Sequence, residues 1–404
     1  MIKRTLQELC LNITDGKHGD CENEENSGYY FISCKDIFDG QINYKNARQI
    51  TKADFEETHK RTMLEVDDIL LTNSGTIGRM AFVTDREATT KTTFQKSVAI
   101  IKPDKQKVLP RYLYYQLQNC VPQFINSSNG SAQKNLLLST MRTFQIEIEE
   151  NREKQEKIAN TLSAYDDLIE NNQKQIKLLE EAAQRLYKEW FVDLRFPGHE
   201  NTKIVDGVPE GWEKNCAEKF FEITIGKTPP RTEKRCFTTG ENGIPWVSIA
   251  DMGNSGMFVL NTAENLTDDA IKQYNVKVIP KNTVLLSFKL TVGRVAIAST
   301  DICTNEAIAH FKGRRECERE YTYCYLKNFH YDELGSTSSI SKAVNSKIIK
   351  AMPFIMPSEK LLKEYSSKTK DIFDLIICKQ KMDNDLKIAR DRILHKLMSG
   401  EMEV

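Results

Sequence analysis

Residues 70–83 read LLTNSGTIGRMAFV, and residues 285–298 read LLSFKLTVGRVAIA. Leu70, Leu71, Thr76, Gly78, Arg79 and Ala81 align with Leu285, Leu286, Thr291, Gly293, Arg294 and Ala296, at a constant separation of 215. The match extends in both directions. YYFISCKDI (29–37) faces IPWVSIADM (244–252) at 215, setting Ser33 against Ser248 and Asp36 against Asp251. ITDGK (13–17) faces ITIGK (223–227) at 210, and YLYYQL (112–117) faces YTYCYL (321–326) at 209. Lys134 faces Lys342, and Phe144 faces Met352, at 208. The order never changes, and the offset drifts only between motifs. That is the mark of a duplicated scaffold with loop insertions.

The repeated segments read as strands. VDDILLTNSG and KNTVLLSFKL place β-branched residues and Leu before a turn. Gly78 and Gly293 are expected at a bulge or tight turn where a Cβ would clash. Each half is therefore an α+β domain, a sheet with a few helices.

A helix follows each domain, beginning near Asn151 and near Ser358, both good N-caps. Pro353 and Pro357 fit a chain about to enter a helix. In the first helix Ile158, Leu162, Tyr165, Ile169, Asn172, Ile176, Leu179, Ala183, Leu186 and Trp190 alternate spacings of 4 and 3. All but Asn172 are apolar, which makes a coiled-coil seam. The equivalent line in the second helix is Tyr365, Thr369, Ile372, Ile376, Lys379, Asp383, Leu386, Arg390, Ile393 and Leu397. Its polar middle reads as a break, a frayed register, a partner contact or a solvated stretch. Asn172 either fixes register or sits at the edge of the pair. Trp190 and Phe191 are open to core or to docking.

The expected order is a first domain at 1–150, a helix at 151–196, a second domain at 197–357 and a helix at 358–404. Residues 197–212, PGHENTKIVDGVPEGW, read as a polar linker. A repeated chain suggests an antiparallel helix pair related by a pseudo-twofold axis. Roughly 38 helical residues would then make a spacer of about 57 Å between the two domains.

Composition sets further bounds. A chain of 404 residues exceeds one ordinary core. Lys plus Arg and Asp plus Glu number 57 each, so net charge names no partner. The ten Cys show no CxxC spacing, which argues against zinc. Scattered free thiols, with no apolar leader in MIKRTLQELC, point to a reducing cytoplasm. No run of 18 apolar residues suggests a membrane span. Phosphate-loop, dinucleotide, GxSxG and HExxH motifs are all missing, and the six His stand apart in sequence. The only Pro-Pro lies in Thr228-Pro229-Pro230-Arg231, without the Asn or Asp and the aromatic that flank it in DNA amino-methyltransferases. A non-catalytic chain is expected.

The chain resembles the specificity subunit of type I restriction–modification systems. The helix REKQEKIANTLSAYDDLIENNQKQIKLLEEAAQRLYKEWFVDLRFPGHE (152–200) is similar to that family's central conserved region. VPEGWEKNCAEKFFEITIGKTPPR (208–231) resembles the opening of its second target recognition domain, and DLKIARDRILHKLMSGEMEV (385–404) its C-terminal conserved helix. The two TIGR/TVGR strands sit where each recognition domain carries that pattern, so the likeness covers essentially the whole chain. The resemblance implies a subunit whose two domains each read one half of a gapped double-stranded DNA target. Its helices would set the gap and dock two methyltransferase subunits. S-adenosylmethionine, ATP and Mg would belong to the methyltransferase and restriction partners, leaving this chain without cofactor or metal. A spacer of the estimated length can hold two domains over half-sites about 34–36 Å apart.

Candidate DNA contacts follow from the loops. Lys17 and Lys227 end matching Gly-Lys turns, suited to phosphate or to a solvated surface turn. Arg79 and Arg294 follow the repeated Gly; a phosphate, a guanine edge or a structural ion pair would suit them. Ser131, Gln133 and Lys134 lie in the polar loop NGSAQKN, which Lys342 matches in STSSISK. Thr228, Arg231, Lys234 and Arg235 form the densest basic cluster of the second half, a binding loop or a solvated one. Lys289 faces Ser74, a non-repeated residue on a repeated loop, where sequence reading belongs. Lys91 and Lys96, in TKTTFQKS, are further candidates. Ser33, Asp36, Ser248 and Asp251 repeat too closely to discriminate bases and are expected to organise turns. Neither domain is basic, with 19 basic and 20 acidic residues in 1–150 and 20 and 19 in 197–357. The isolated chain is therefore expected to bind DNA weakly. The competing readings are a scaffold tethering two protein-binding domains and an enzyme with a dispersed site.

Overall fold

The computed structural model describes residues 1–84, 88–128, 134–240, 242–289, 291–334 and 344–403. The chain forms two compact units, Met1–Leu168 with Lys387–Val404, and Ile169–Leu386. Each long helix thus contributes a segment to each unit.

In the first unit the strand Ile69–Thr72 lies between Val98–Pro103 and Met80–Phe82, and Cys10–Asp15 closes the other edge. All these pairings are antiparallel. Ile69 and Leu71 enter one core with Tyr112, Leu113 and Leu117, while Leu70 enters a second core with Ile32 and Phe94. A strand buried on both faces needs an unbroken apolar run, which is what ILL provides. A smaller sheet orders Arg48–Gln49, Tyr30–Ile32 and Thr92–Phe94, the last two parallel. The ladder Ile2–Thr5 with Gln145–Ile148 ties the start of this unit to the strand before the first long helix.

The second unit repeats this plan. Glu222–Ile225, Ile308–Lys312, Val284–Ser287 and Val295–Ala298 stand in the same order, extended by the parallel strand Phe258–Val259. Val284 and Leu286 face one core and Leu285 the other. Ile244–Val247 pairs parallel with Cys303–Thr304, as Tyr30–Ile32 does with Thr92–Phe94. Glu213–Cys216 pairs with Pro353–Met356 as Ile2–Thr5 does with Gln145–Ile148.

The opening motif is a turn built twice. Gly78 and Gly293 have φ of 95° and 90°, open to glycine and costly for other residues. A Cβ would lie 2.5 Å from Val121 at Gly78 and 3.0 Å from the Tyr331 ring at Gly293. The hydroxyls of Thr72 and Ser287 lock both turns. Each donates to the carbonyl of Thr76 or Thr291. Each accepts from the N–H of Arg79 at 2.9 Å or of Arg294 at 3.0 Å. Ser33 with Asp36 and Ser248 with Asp251 form matching capping boxes, both with a 2.7 Å hydroxyl–carboxylate bond.

The long helices run Arg152–Tyr187 and Glu359–Ser399. Asn151 Oδ1 accepts from the N–H of Glu153 at 2.9 Å, and Ser358 Oγ from that of Leu361 at 3.4 Å. In the first unit Ile158, Ala159 and Leu162 share a core with Leu394, Leu397 and Met398. In the second, Ala183 and Tyr187 share one with Leu361, Tyr365, Phe373 and Ile376. There Tyr365 reaches Ala183 while Lys379 reaches Asn172, so the pair is antiparallel.

Two expectations need correction. The polar middle of the second helix is neither a break nor a solvated stretch: the helix is continuous, and Lys379 and Arg390 meet polar residues of the first. Lys379 Nζ donates to Asn172 Oδ1 at 3.4 Å, and Arg390 Nη1 to Asp166 Oδ1 at 2.8 Å. Tyr115 donates to the other Asp166 oxygen at 2.6 Å. These bonds offset part of the desolvation cost that buried polar seam residues carry. Residues 197–212 are likewise folded. Ile204–Val205 and Val208–Pro209 make a hairpin, and the tilted rings of Phe196 and Trp212 meet at 5.4 Å in the core that holds Trp190 and Phe191.

Candidate DNA interface

The Gly-Lys turns are held by backbone contacts that leave no room for a side chain. A Cβ on Gly16 would lie 1.9 Å from Phe94 O, and one on Gly226 2.2 Å from Asn305 O. The N–H groups of Gly16 and Lys17 donate to Val98 and Phe94; those of Gly226 and Lys227 donate to Ile308 and Thr304. Each turn therefore lies against the strand end that carries Lys96 in one repeat and Glu306 in the other.

The second unit gathers several candidates here. The Thr228 hydroxyl donates to the Glu306 carboxylate. That bond, with the nearby charges of Lys289 and Arg231, holds Glu306 below the usual carboxylate range. Lys289 is exposed and reaches the strand end through the Phe288 N–H, which donates to Ala307 O at 2.9 Å. Arg231 stacks over Phe237 and Trp246 at 4.2 and 4.6 Å and pairs with Glu264 at 2.6 Å. A stacked, half-exposed guanidinium is already oriented for a planar or anionic partner. Lys227 Nζ instead donates to Tyr274 O at 2.6 Å. Arg235 pairs with Glu233 at 3.0 Å, which also accepts from Tyr274, and Lys234 is exposed beside them.

In the first unit Lys17 Nζ lies 3.1 Å from Asp54 and 3.3 Å from Glu57. The Asp54 bond raises its pKa and keeps it cationic. Lys96 is exposed, and its N–H donates to Lys17 O at 3.1 Å. Ser74 bridges Asn135, which brings exposed Lys134 to the same edge. Lys91 is exposed on the turn Thr89–Lys91. Ser131, Gln133 and Lys342 lie outside the described residues.

The repeated arginines differ. Arg79 is exposed, whereas Arg294 is half-buried and donates from Nη1 to Ile249 O at 2.8 Å. Arg294 braces the helix Ile249–Asn254, pressed so close to Gly253 that a Cβ there would lie 2.4 Å from Nη1.

Two residues were not singled out from sequence. Arg48 lies over Phe31 at 5.4 Å, pairs with Asp20 at 2.5 Å and donates to Asn23 and the Cys21 carbonyl, pinning residues 20–23. Its non-local partners leave no mark in the sequence. Glu306 did leave one, since the 210 offset sets it opposite Lys96. Among the described residues no group of three His, Cys, Asp or Glu could hold a metal ion, and no helix is long and apolar enough to cross a membrane.

The family model of the type I restriction modification DNA specificity domain matches residues 3–181 and again 209–384. The MjaIX specificity subunit of Methanocaldococcus jannaschii is 28% identical over 393 residues, covering 93% of this chain and 87% of that protein. The HindI specificity subunit of Haemophilus influenzae is 24% identical over 370 residues, covering 75% and 80%. The solved type I restriction-modification S subunit from M. genitalium superimposes with a TM-score of 0.56 at 17% identity, over 98% of this chain and 95% of that one. At that identity the superposition speaks to fold.

Proposed function

Because this chain belongs to the type I restriction modification DNA specificity family, we propose that each repeat reads one half of a bipartite, gapped DNA target. The observation that carries this reading is a backbone frame kept twice while the residues at its tips change. Lys96 gives way to Glu306 and Ser74 to Lys289, on turns held by equivalent hydrogen bonds. A reader of two unlike sequences needs a constant frame and variable tips. The long helices set the gap between half-sites and dock two methyltransferase subunits. Those partners bind S-adenosylmethionine and methylate adenine, and restriction subunits bring ATP and Mg. This chain supplies the address and performs none of the chemistry. Its balanced charge suits a subunit that binds DNA weakly alone and tightly once the partners close around the duplex.

Coexpression with a methyltransferase subunit tests this. Methylation should require both chains and fall on a gapped, asymmetric sequence. Complex formation without sequence-dependent methylation would favour a scaffold tethering two protein-binding domains, and turnover by this chain alone would favour an enzyme.

A further inference from the structure

The strand-end turns beside the two Gly-Lys loops share two backbone hydrogen bonds. In the first repeat the Val98 N–H donates to Gln95 O at 3.0 Å, which leaves Lys96 at the tip. In the second the Ile308 N–H donates to Asn305 O at 3.3 Å, which leaves Glu306 at the tip. Gln95 is anchored to Ile32 O at 2.8 Å, and Asn305 to Val247 O at 3.0 Å. Lys96 and Glu306 therefore hold one scaffold position with opposite charge, and both are exposed.

An exposed carboxylate on a DNA-facing turn is repelled by phosphates unless something offsets it. Glu306 has such an offset, since Arg231 and Lys289 lie close enough to favour its ionised form and Thr228 fixes one oxygen. An ionised carboxylate only accepts hydrogen bonds, and the major-groove groups that donate are the amines at cytosine N4 and adenine N6. An ammonium only donates, which suits guanine O6 and N7.

We propose that position 96/306 determines specificity: Glu306 accepts from the exocyclic amine of a cytosine or adenine in one half-site, and Lys96 donates to a guanine in the other. This rests on the reading of the repeats as DNA readers. Thr228 is a positioning residue that orients the Glu306 carboxylate.

The test presents a duplex library, randomised in both half-sites, to the complex of this chain with its methyltransferase subunit. The methylated products are sequenced for wild type, E306Q, E306K, K96E and T228V. E306Q should cut base discrimination at one position of the second half-site by roughly 5- to 100-fold, the span of a single good base contact. E306K should move that position toward guanine, K96E should change only the first half-site, and T228V should weaken the position E306Q affects. Wild-type preferences at every position in both E306Q and E306K would overturn the assignment. So would an equal loss on all sequences in a variant that still assembles and keeps its tryptophan-fluorescence unfolding midpoint. A wild-type complex without sequence preference would instead remove the parent reading, and the wild-type arm tells the two failures apart.

Discussion

Replacing Gly226 by Ala should loosen the turn that holds the candidate interface of the second unit. The new Cβ would sit 2.1 Å from Thr304 Oγ1, 2.2 Å from Asn305 O and 2.4 Å from Thr304 O. Carbon–oxygen contacts need more than 3 Å, so the backbones must part by about 1 Å. That separation weakens two hydrogen bonds, Gly226 N–H to Ile308 O at 3.1 Å and Lys227 N–H to Thr304 O at 2.9 Å. Two such bonds contribute about 1–3 kcal/mol together. Overpacking a tight backbone contact adds about 1–3 kcal/mol. A working value of about 3 kcal/mol lowers the urea midpoint by roughly 1.5 M at a slope of about 2 kcal/mol/M. All three tryptophans, Trp190, Trp212 and Trp246, belong to the second unit, so intrinsic fluorescence follows its unfolding. Gly240→Ala serves as the control. Its Cβ would meet nothing within 4 Å, and it carries only the cost of a φ of +86°, about 1–2 kcal/mol. If G226A is no more destabilising than G240A, the close-approach argument is wrong. The interface should respond too, with discrimination falling in the second half-site and holding in the first.

Other perturbations reach other parts of the molecule. Arg390→Ala strands Asp166 beside Tyr115 and should cost about 2–3 kcal/mol, read as a lower urea midpoint by circular dichroism; a change below 0.5 kcal/mol would contradict a paired polar seam. His310 is buried between the hydroxyls of Thr224 and Thr304, and burial pushes its pKa down to about 4. Its folded pKa lies below the unfolded value of about 6.5, so the unfolded chain takes up a proton that the folded chain refuses, and stability falls as pH drops through that window. The loss attributable to His310 between pH 7 and pH 5 should be about 2 kcal/mol, and His310→Ile, the residue that Ile100 supplies in the first repeat, should remove it from the fluorescence midpoints. Thr72→Val and Ser287→Ala should each cost about 1–3 kcal/mol by removing the hydroxyl that locks a Gly turn. Equal stability of variant and parent in chemical denaturation would show that the lock is dispensable.

Much of the fold was legible in the residues. The pairing of LLTNSGTIGR with LLSFKLTVGR announced two copies of one sheet, because each copy must satisfy the same turn and bury the same ILL or VLL run. The capping residues Asn151 and Ser358 and the apolar stripe along Ile158 to Trp190 are local or periodic, and such signals survive in a linear string. Partners distant in sequence did not survive. The polar line through Lys379 and Arg390 stayed open between a break, a frayed register, a partner contact and a solvated stretch, because the companions Asn172 and Asp166 lie over 200 residues away. Arg79 and Arg294 are one motif residue, yet one is exposed and the other braces a neighbouring helix, because inserted loops decide what each guanidinium can reach. Glu306 gained its meaning only when the Gly-Lys turn brought Thr228 against it. Repetition and periodicity record which backbone groups must be satisfied and which faces must be dry. Which charge meets which is fixed only when the chain closes on itself.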